Sequence, residues 1–206
     1  MNQQKLLSRR QFLKTSSIAG GGLIVGVSLA GCGETSPALS ASQGTMTPNA
    51  FLQITSDNLV RFYCPRDEMG QGVSTGLATL IAEDLDIAPW LFDVRWAGVH
   101  PDYSNPDFGV QGTGGSTSIS AHYQQLRQVG ANTRAILLEA AASRLNAPLT
   151  QLTTDNGQIM YGEKRYPYGE FVDLAEQLQA PENTPLKSAS EFRYIGKEFS
   201  RIDGIA

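Results

Sequence analysis

From Phe51 onward the chain alternates short β-prone runs with segments whose apolar residues recur at helical spacing. Phe51 to Ile54 and Leu59 to Cys64 flank Thr55-Ser56-Asp57-Asn58, a turn composition, and predict a hairpin. Val73 to Leu85 predicts a helix with Val73, Leu77, Leu80, Ile81 and Leu85 on one face. Phe92 to Ala97 sets Phe92, Val94 and Trp96 against Asp93 and Arg95, the alternation of a half-buried strand. His100 to Thr113, rich in Pro, Asp, Asn and Gly, reads as loop. The longest periodic stretch runs from about Ser118 to Asn146. It turns Leu126, Val129, Thr133, Ile136, Leu137, Ala140 and Leu145 inward, and Pro148 stops it. Gln158 to Tyr166 predicts a small hairpin about Gly162-Glu163, and Tyr168 to Gln179 a helix with Phe171, Leu174, Ala175 and Leu178 inward. Pro181 to Ser190 reads as a linker and Phe192 to Ile195 as a last short strand. The fold class is α+β, with mixed short strands and hairpins and two or three helices, and there is no internal repeat.

Composition narrows the function classes. The 206 residues hold 16 Lys+Arg against 20 Asp+Glu, 41% hydrophobic and 17% charged residues, too apolar to be disordered throughout. A net charge of −4 with no basic block argues against a nucleic-acid surface. Two Cys and two His leave little for a disulfide scaffold or a zinc enzyme. The charge is uneven along the chain. Lys5, Arg9, Arg10 and Lys14 lie in residues 1–31 with no acid, so 12 basic and 20 acidic side chains remain beyond them, a charge of −8.

Ser8-Arg9-Arg10-Gln11-Phe12-Leu13-Lys14 is a twin-arginine export pattern, followed by a charge-free stretch to Gly33. The apolar part, about Ile18 to Ala30, is short for a bilayer span and weakened as a helix by Gly20, Gly21, Gly22 and Gly26. Residues 1–31 are therefore expected to be a twin-arginine signal segment, which implies a periplasmic destination. Leu29-Ala30-Gly31-Cys32 resembles a lipobox and makes Cys32 a candidate lipidation site and membrane anchor. Ala38-Leu39-Ser40-Ala41 offers another cleavage region. Residues 32–47 read as a flexible tether, and the folded part is expected over 48–206.

Two loops at predicted helix starts could carry chemistry. Glu68-Met69-Gly70-Gln71-Gly72 precedes the Val73 helix: its glycines allow close backbone approach, the helix start presents N–H groups to an anion, and Gln71 both donates and accepts. A strand-to-helix turn with Gln71 exposed explains the same residues. Gly112-Thr113-Gly114-Gly115-Ser116-Thr117-Ser118 precedes the long helix and offers hydroxyls and N–H groups without bulk, as a phosphate site does. An N-cap at Ser116 or Ser118 after a pliant loop is the alternative. The Walker ending is absent, and the glycine spacing is wrong for a dinucleotide fingerprint.

Taken together, Glu-Met-Gly-Gln-Gly before one helix and small-Ser-x-Ser before a longer one resemble the molybdopterin-binding subunit of the xanthine dehydrogenase/aldehyde oxidase family. Within that family the similarity is closest to the isoquinoline 1-oxidoreductase beta subunit. It runs through Gln125-Leu126-Arg127-Gln128-Val129-Gly130-Ala131, Arg134 to Ala142, Tyr168 to Ala175, Tyr194-Ile195-Gly196-Lys197 and Arg201-Ile202-Asp203. The resemblance implies part of a larger molybdopterin-binding domain and a molybdenum–molybdopterin cofactor in its cytosine dinucleotide form. The implied reaction is oxidative hydroxylation of an aldehyde or N-heterocycle. Electrons would pass to iron–sulfur clusters on a small [2Fe-2S] subunit and on to a cytochrome acceptor. It places Met69, Gly70, Gln71, Gly115, Ser116, Thr117 and Ser118 against the cofactor, with Thr113 and Gly114 beside them. The family's catalytic glutamate and its Gly-Gly-x-Phe-Gly loop have no counterpart here, so no catalytic residue is assigned and no side chain is assigned as a metal ligand. The expectation is an N-terminal part of a large subunit, inactive alone and joined by the remainder of that subunit. An exported or lipid-anchored binding module that kept only the fold is the alternative.

Overall fold

A computed structural model of the chain describes residues 22–26 and 50–203, except 180 and 182. The twin-arginine motif, Cys32 and the 32–47 tether lie outside the described residues. The architecture is α+β, with three helices and two small sheets among the described residues.

The first sheet has the order β1-β2-β3-β4, formed by Gly22–Gly26, Ala50–Thr55, Val60–Cys64 and Phe92–Trp96. β2 and β3 make the expected antiparallel hairpin, with Leu52 opposite Phe62. β4 runs parallel to β3, which requires a crossover, and helix α1 (Val73–Leu85) supplies it. β1, from within the segment expected as a leader, pairs antiparallel with β2, Leu23 opposite Ile54. Helix α2 spans Ser118–Leu145 and packs along α1. Its buried stripe holds the expected Leu126, Val129, Ile136, Leu137 and Ala140, but also His122, Gln125, Arg127 and Asn132. The second sheet is an antiparallel meander of β5 (Leu152–Asp155), β6 (Gln158–Tyr161) and β7 (Lys164–Pro167). β6 and β7 form the expected hairpin; β5 goes beyond it, because Leu152 is its one buried side chain and leaves no alternating pattern.

Two sequence expectations are corrected. The segment from Tyr168 is a 3-10 turn to Phe171 and then one turn of helix, α3 (Val172–Ala175), rather than a helix to Gln179. Long-range bonds fix its start: the Tyr168 hydroxyl donates to the Leu85 carbonyl (2.7 Å), and the Gly169 N–H donates to Asn58 Oδ1 (2.9 Å). Phe192 to Ile195 is not a strand. The N–H groups of Arg193, Tyr194 and Ile195 all donate to the carboxylate of Glu83, at 2.8 to 3.1 Å.

Glu83 is one of three acids on the last turn of α1 that tie distant segments to it. Asp84 accepts from Arg127 Nε (2.7 Å) and from the Lys187 backbone N–H (2.8 Å). Asp86 ends the helix in a left-handed conformation and accepts from Thr154, Arg134 and the Lys187 ammonium. Glu83 and Asp84 have no exposure, so each depends on these donors to offset its desolvation. The same turn meets α2 at Gly130, where a Cβ would lie 2.4 Å from the Ile81 carbonyl oxygen and 3.1 Å from the Leu85 nitrogen. Both neighbours are backbone and cannot rotate away. Gly130→Ala should therefore force the helices apart and destabilise the domain by about 1–3 kcal/mol, read as a lower urea midpoint. An unchanged midpoint would refute the close crossing.

Candidate functional site

β3 ends at Cys64, whose buried thiol donates to the Arg66 carbonyl (3.3 Å); burial pushes that thiol up to about 11, so it is inert at neutral pH. The chain then turns through Asp67 to Gly72 into α1. Gly72 sits at the N-cap with φ 79°, a left-handed conformation that glycine adopts without strain. Having no side chain, it cannot cap the helix itself. Glu68 does so from outside the helix: Oε1 accepts from the N–H groups of Gly70 (2.9 Å) and Gly72 (2.7 Å), and Oε2 accepts from the Ser74 N–H (3.2 Å) and hydroxyl (3.0 Å). The sequence offers this helix start as an anion site; the chain's own carboxylate fills it.

The remaining loop residues fall into two groups. Met69 projects outward, 71% exposed. Gln71 folds back on its own loop, with Oε1 accepting from the Met69 N–H (2.5 Å) and Nε2 donating to the Asp67 carbonyl (2.9 Å). Arg201 closes the loop from the far end of the described chain. Its guanidinium donates to the Gly70 carbonyl (2.7 Å), reaches Glu68 at 3.4 Å, and is held by Asp203. The Ile202 N–H donates to Thr75 Oγ1 (3.1 Å), so Arg201-Ile202-Asp203 is fastened to the first turn of α1.

The second loop lies beside the first. The Asp67 N–H donates to Thr113 Oγ1 (2.8 Å), which joins the two loops although 46 residues separate them. Gly115 (φ 61°) and Ser116 (φ 56°) are both left-handed and exposed, with the Phe108 ring against Gly115. Thr117 is held from below by Asn105, whose Nδ2 donates to Thr117 Oγ1 (2.7 Å). Ser118 opens α2, and the N-cap residue, Thr117, makes no side-chain capping bond to that helix start. Met69, Gly70 and Gln71 are thus brought next to the loop that holds Gly115, Ser116, Thr117 and Ser118, with Thr113 at the junction. Of the two helix starts, that of α2 is the one without an internal anion.

Two buried polar residues of this region escape sequence reasoning. Arg66, before the first loop, and His122, on the second turn of α2, carry no local pattern that sets them apart. His122 has no exposure, and its Nδ1 pairs with Gln125 Oε1 at 2.8 Å. Burial, aided by Arg66, lowers its pKa to about 4, so the ring is neutral at physiological pH. Among the described residues no group of three His, Cys, Asp or Glu side chains could hold a metal ion, and no helix is long and apolar enough to cross a membrane.

The packed helix pair, the mixed sheet and the joined loops define an α+β domain with one face built from two helix starts. The chain belongs to the molybdopterin cofactor-binding domain family, whose model matches residues 4–203. It is 34% identical over 184 residues to the beta subunit of isoquinoline 1-oxidoreductase from Brevundimonas diminuta, covering 87% of this chain and 23% of that relative. It is 31% identical over 212 residues to a membrane-bound aldehyde dehydrogenase (pyrroloquinoline-quinone) of Gluconacetobacter polyoxogenes, covering 98% and 26%. A third relative, a nicotinate dehydrogenase subunit of Pseudomonas putida, is 28% identical over 159 residues, covering 74% and 13%. The chain spans about a quarter of the length of the first two relatives. The family is one of molybdopterin-dependent oxidoreductases, as the two loops imply in the sequence.

The Glu68 cap has a measurable consequence. Partial burial pushes its pKa up, but the hydrogen bonds from Gly72, Ser74 and Gly70 outweigh that and hold the carboxyl below the ordinary glutamate value of 4.5. A depressed folded value stabilises the loop above the unfolded pKa, and this contribution is lost as pH falls through the folded one. The amide resonances of Gly70 and Gly72 should therefore shift together with a midpoint below 4.5 and stop titrating in Glu68→Gln. A midpoint at or above 4.5 would contradict the cap.

Proposed function

We propose that this chain is the N-terminal part of a molybdenum hydroxylase large subunit and supplies one wall of its cofactor pocket. When bound, the molybdenum–molybdopterin group supplies the oxidative hydroxylation chemistry, and the protein's part is to position it. The observation that supports this reading best is the Asp67–Thr113 bond, which sets the family's two loops side by side. The residues present suit an anionic, phosphate-bearing group. The N-cap Thr117 leaves the α2 start without a capping bond of its own, Gly115 and Ser116 lie exposed before it, and a buried guanidinium with unpartnered nitrogens stands next to the first loop.

On this reading Gly115, Ser116, Thr117 and Ser118 hold the pterin or its phosphate through N–H groups and hydroxyls. Met69, Gly70 and Gln71 face the other side of the same group, and Gln71 trades its bonds to Met69 and Asp67 for the ligand. Glu68 is committed to the α1 start, Glu83 and Asp84 are buried at its other end, and the exposed Asp67 accepts from Thr113 (3.5 Å), so none is assigned as a base. The chain alone therefore should not turn over an aldehyde or N-heterocycle. Catalysis would require the remainder of a large subunit, a small [2Fe-2S] subunit to take electrons and a further acceptor such as a cytochrome. The cytosine dinucleotide form of the cofactor, export by the twin-arginine segment to the periplasm and lipidation at Cys32 belong to the same proposal. A route for folded cargo suits a protein loaded before it crosses.

The test is to purify the chain from cells that assemble molybdenum cofactor and to measure metal and released pterin nucleotide. We expect bound pterin without turnover, and a content several-fold lower in Gln71→Ala. Pterin-free protein from cells that load other molybdoenzymes would overturn the reading, and an unchanged content in Gln71→Ala would remove the role given to that residue.

A further inference from the structure

Arg66 is 2% exposed, among the most buried large side chains of the domain. Its Nη1 donates to the carbonyls of Pro65 (2.8 Å) and Tyr103 (3.0 Å). Its Nε and Nη2 meet no acceptor, and none of the ion pairs among the described residues includes it. Arg127 makes the contrast: nearly as buried, it is closed by Asp84 at 2.7 Å. A buried cation without a counter-charge is costly, and Nε with Nη2 is the edge of the guanidinium that grips two oxygens at once. The fold thus leaves the oxyanion-binding edge of Arg66 open.

A second orphan lies in the same corner. His122 Nε2 is buried without a partner, on the second turn of the helix whose start is uncapped. The Phe51 ring stands edge-on to Tyr103 (5.3 Å) and 6.3 Å from His122, while the Tyr103 carbonyl accepts from Arg66. The positive charge of Arg66 is felt at His122. Two separate elements, the end of β3 and the start of α2, therefore leave three buried nitrogens unsatisfied around the Phe51–Tyr103 pair. Asp67, the next residue along, bonds to Thr113, and Asn105, two residues beyond Tyr103, bonds to Thr117. The corner therefore lies behind both loops.

We propose that Arg66 and His122 form a binding corner for a phosphate-class oxyanion. Arg66 Nε and Nη2 grip two of its oxygens, and His122 completes the contact in the tautomer that carries its proton on Nε2, the Gln125 amide turning to donate to Nδ1. The bond between Asp67 and Thr113 lies on the exposed side and parts to admit the group. The inference rests on the reading of the loops as a cofactor site and adds the place of the ligand's phosphate end. Ordered water would satisfy the same nitrogens as hydrogen-bonding groups but would supply no charge.

The test is thermal unfolding of the purified chain titrated with inorganic phosphate, with chloride at matched ionic strength as control. We expect a saturable stabilisation by phosphate that chloride does not reproduce. The apparent affinity should fall about tenfold or more in Arg66→Met and several-fold in His122→Phe, with Arg66→Lys between wild type and Arg66→Met. His122→Phe stands in should Arg66→Met fail to fold. No phosphate effect in wild type, or a full effect in both Arg66→Met and His122→Phe, would overturn the proposal. Pterin content of the same preparations separates it from the functional reading and identifies the source of the phosphate. An Arg66-dependent phosphate response in protein that takes no pterin leaves a free-anion site and removes the cofactor. Equal pterin in wild type and Arg66→Met keeps the cofactor and removes Arg66.

Discussion

The last turn of α1, from Ile81 to Asp86, fastens most of the other elements. Its backbone meets Gly130 of α2 at a distance that admits no side chain. The Leu85 carbonyl receives the Tyr168 hydroxyl, and the Asp86 carbonyl receives the Gly157 N–H, which attaches the meander. Glu83, Asp84 and Asp86 gather Lys187 and residues 193–195. Each carboxylate is buried or nearly so and is stable there only because donors from other segments surround it. Fixing this turn fixes the direction of both long helices, and therefore where their N-terminal loops lie.

Those loops are unlike in their electrostatics. The α1 start is closed by Glu68, with Arg201 laid over the loop as a cover. The α2 start has no such cap, and the unpaired charge of Arg66 stands behind the junction. One loop is therefore a shaped wall that already holds its own anion, and the other is where a ligand's negative charge is best accommodated. A flexible anionic ligand bound across both would be gripped at one end and contacted along its length.

Much of this was legible in the sequence. The β2–β3 hairpin, α1, β4 and α2 follow from local periodicity, and the two loops follow from glycine and serine at helix starts. The parts that were not legible depend on distant partners. Residues 192–195 have a strand's composition, yet the N–H groups of 193–195 go to Glu83, about 110 residues earlier. The helix expected to Gln179 is cut short where Tyr168 and Gly169 are held by Leu85 and Asn58. In the site, Glu68 read as part of a ligand loop, whereas it caps its own helix. Arg66 and His122 gave no signal, because burial without a partner is visible only once the chain is folded.

Central to this account is that the loops at 67–72 and 112–118 are two sides of one site. Amide hydrogen exchange of the purified chain, with and without molybdopterin released from another enzyme of the class, tests this most directly. The account predicts that both loops gain protection at the same ligand concentration, while the meander at 152–167 is unchanged. Protection of one loop alone, or of neither, would contradict it.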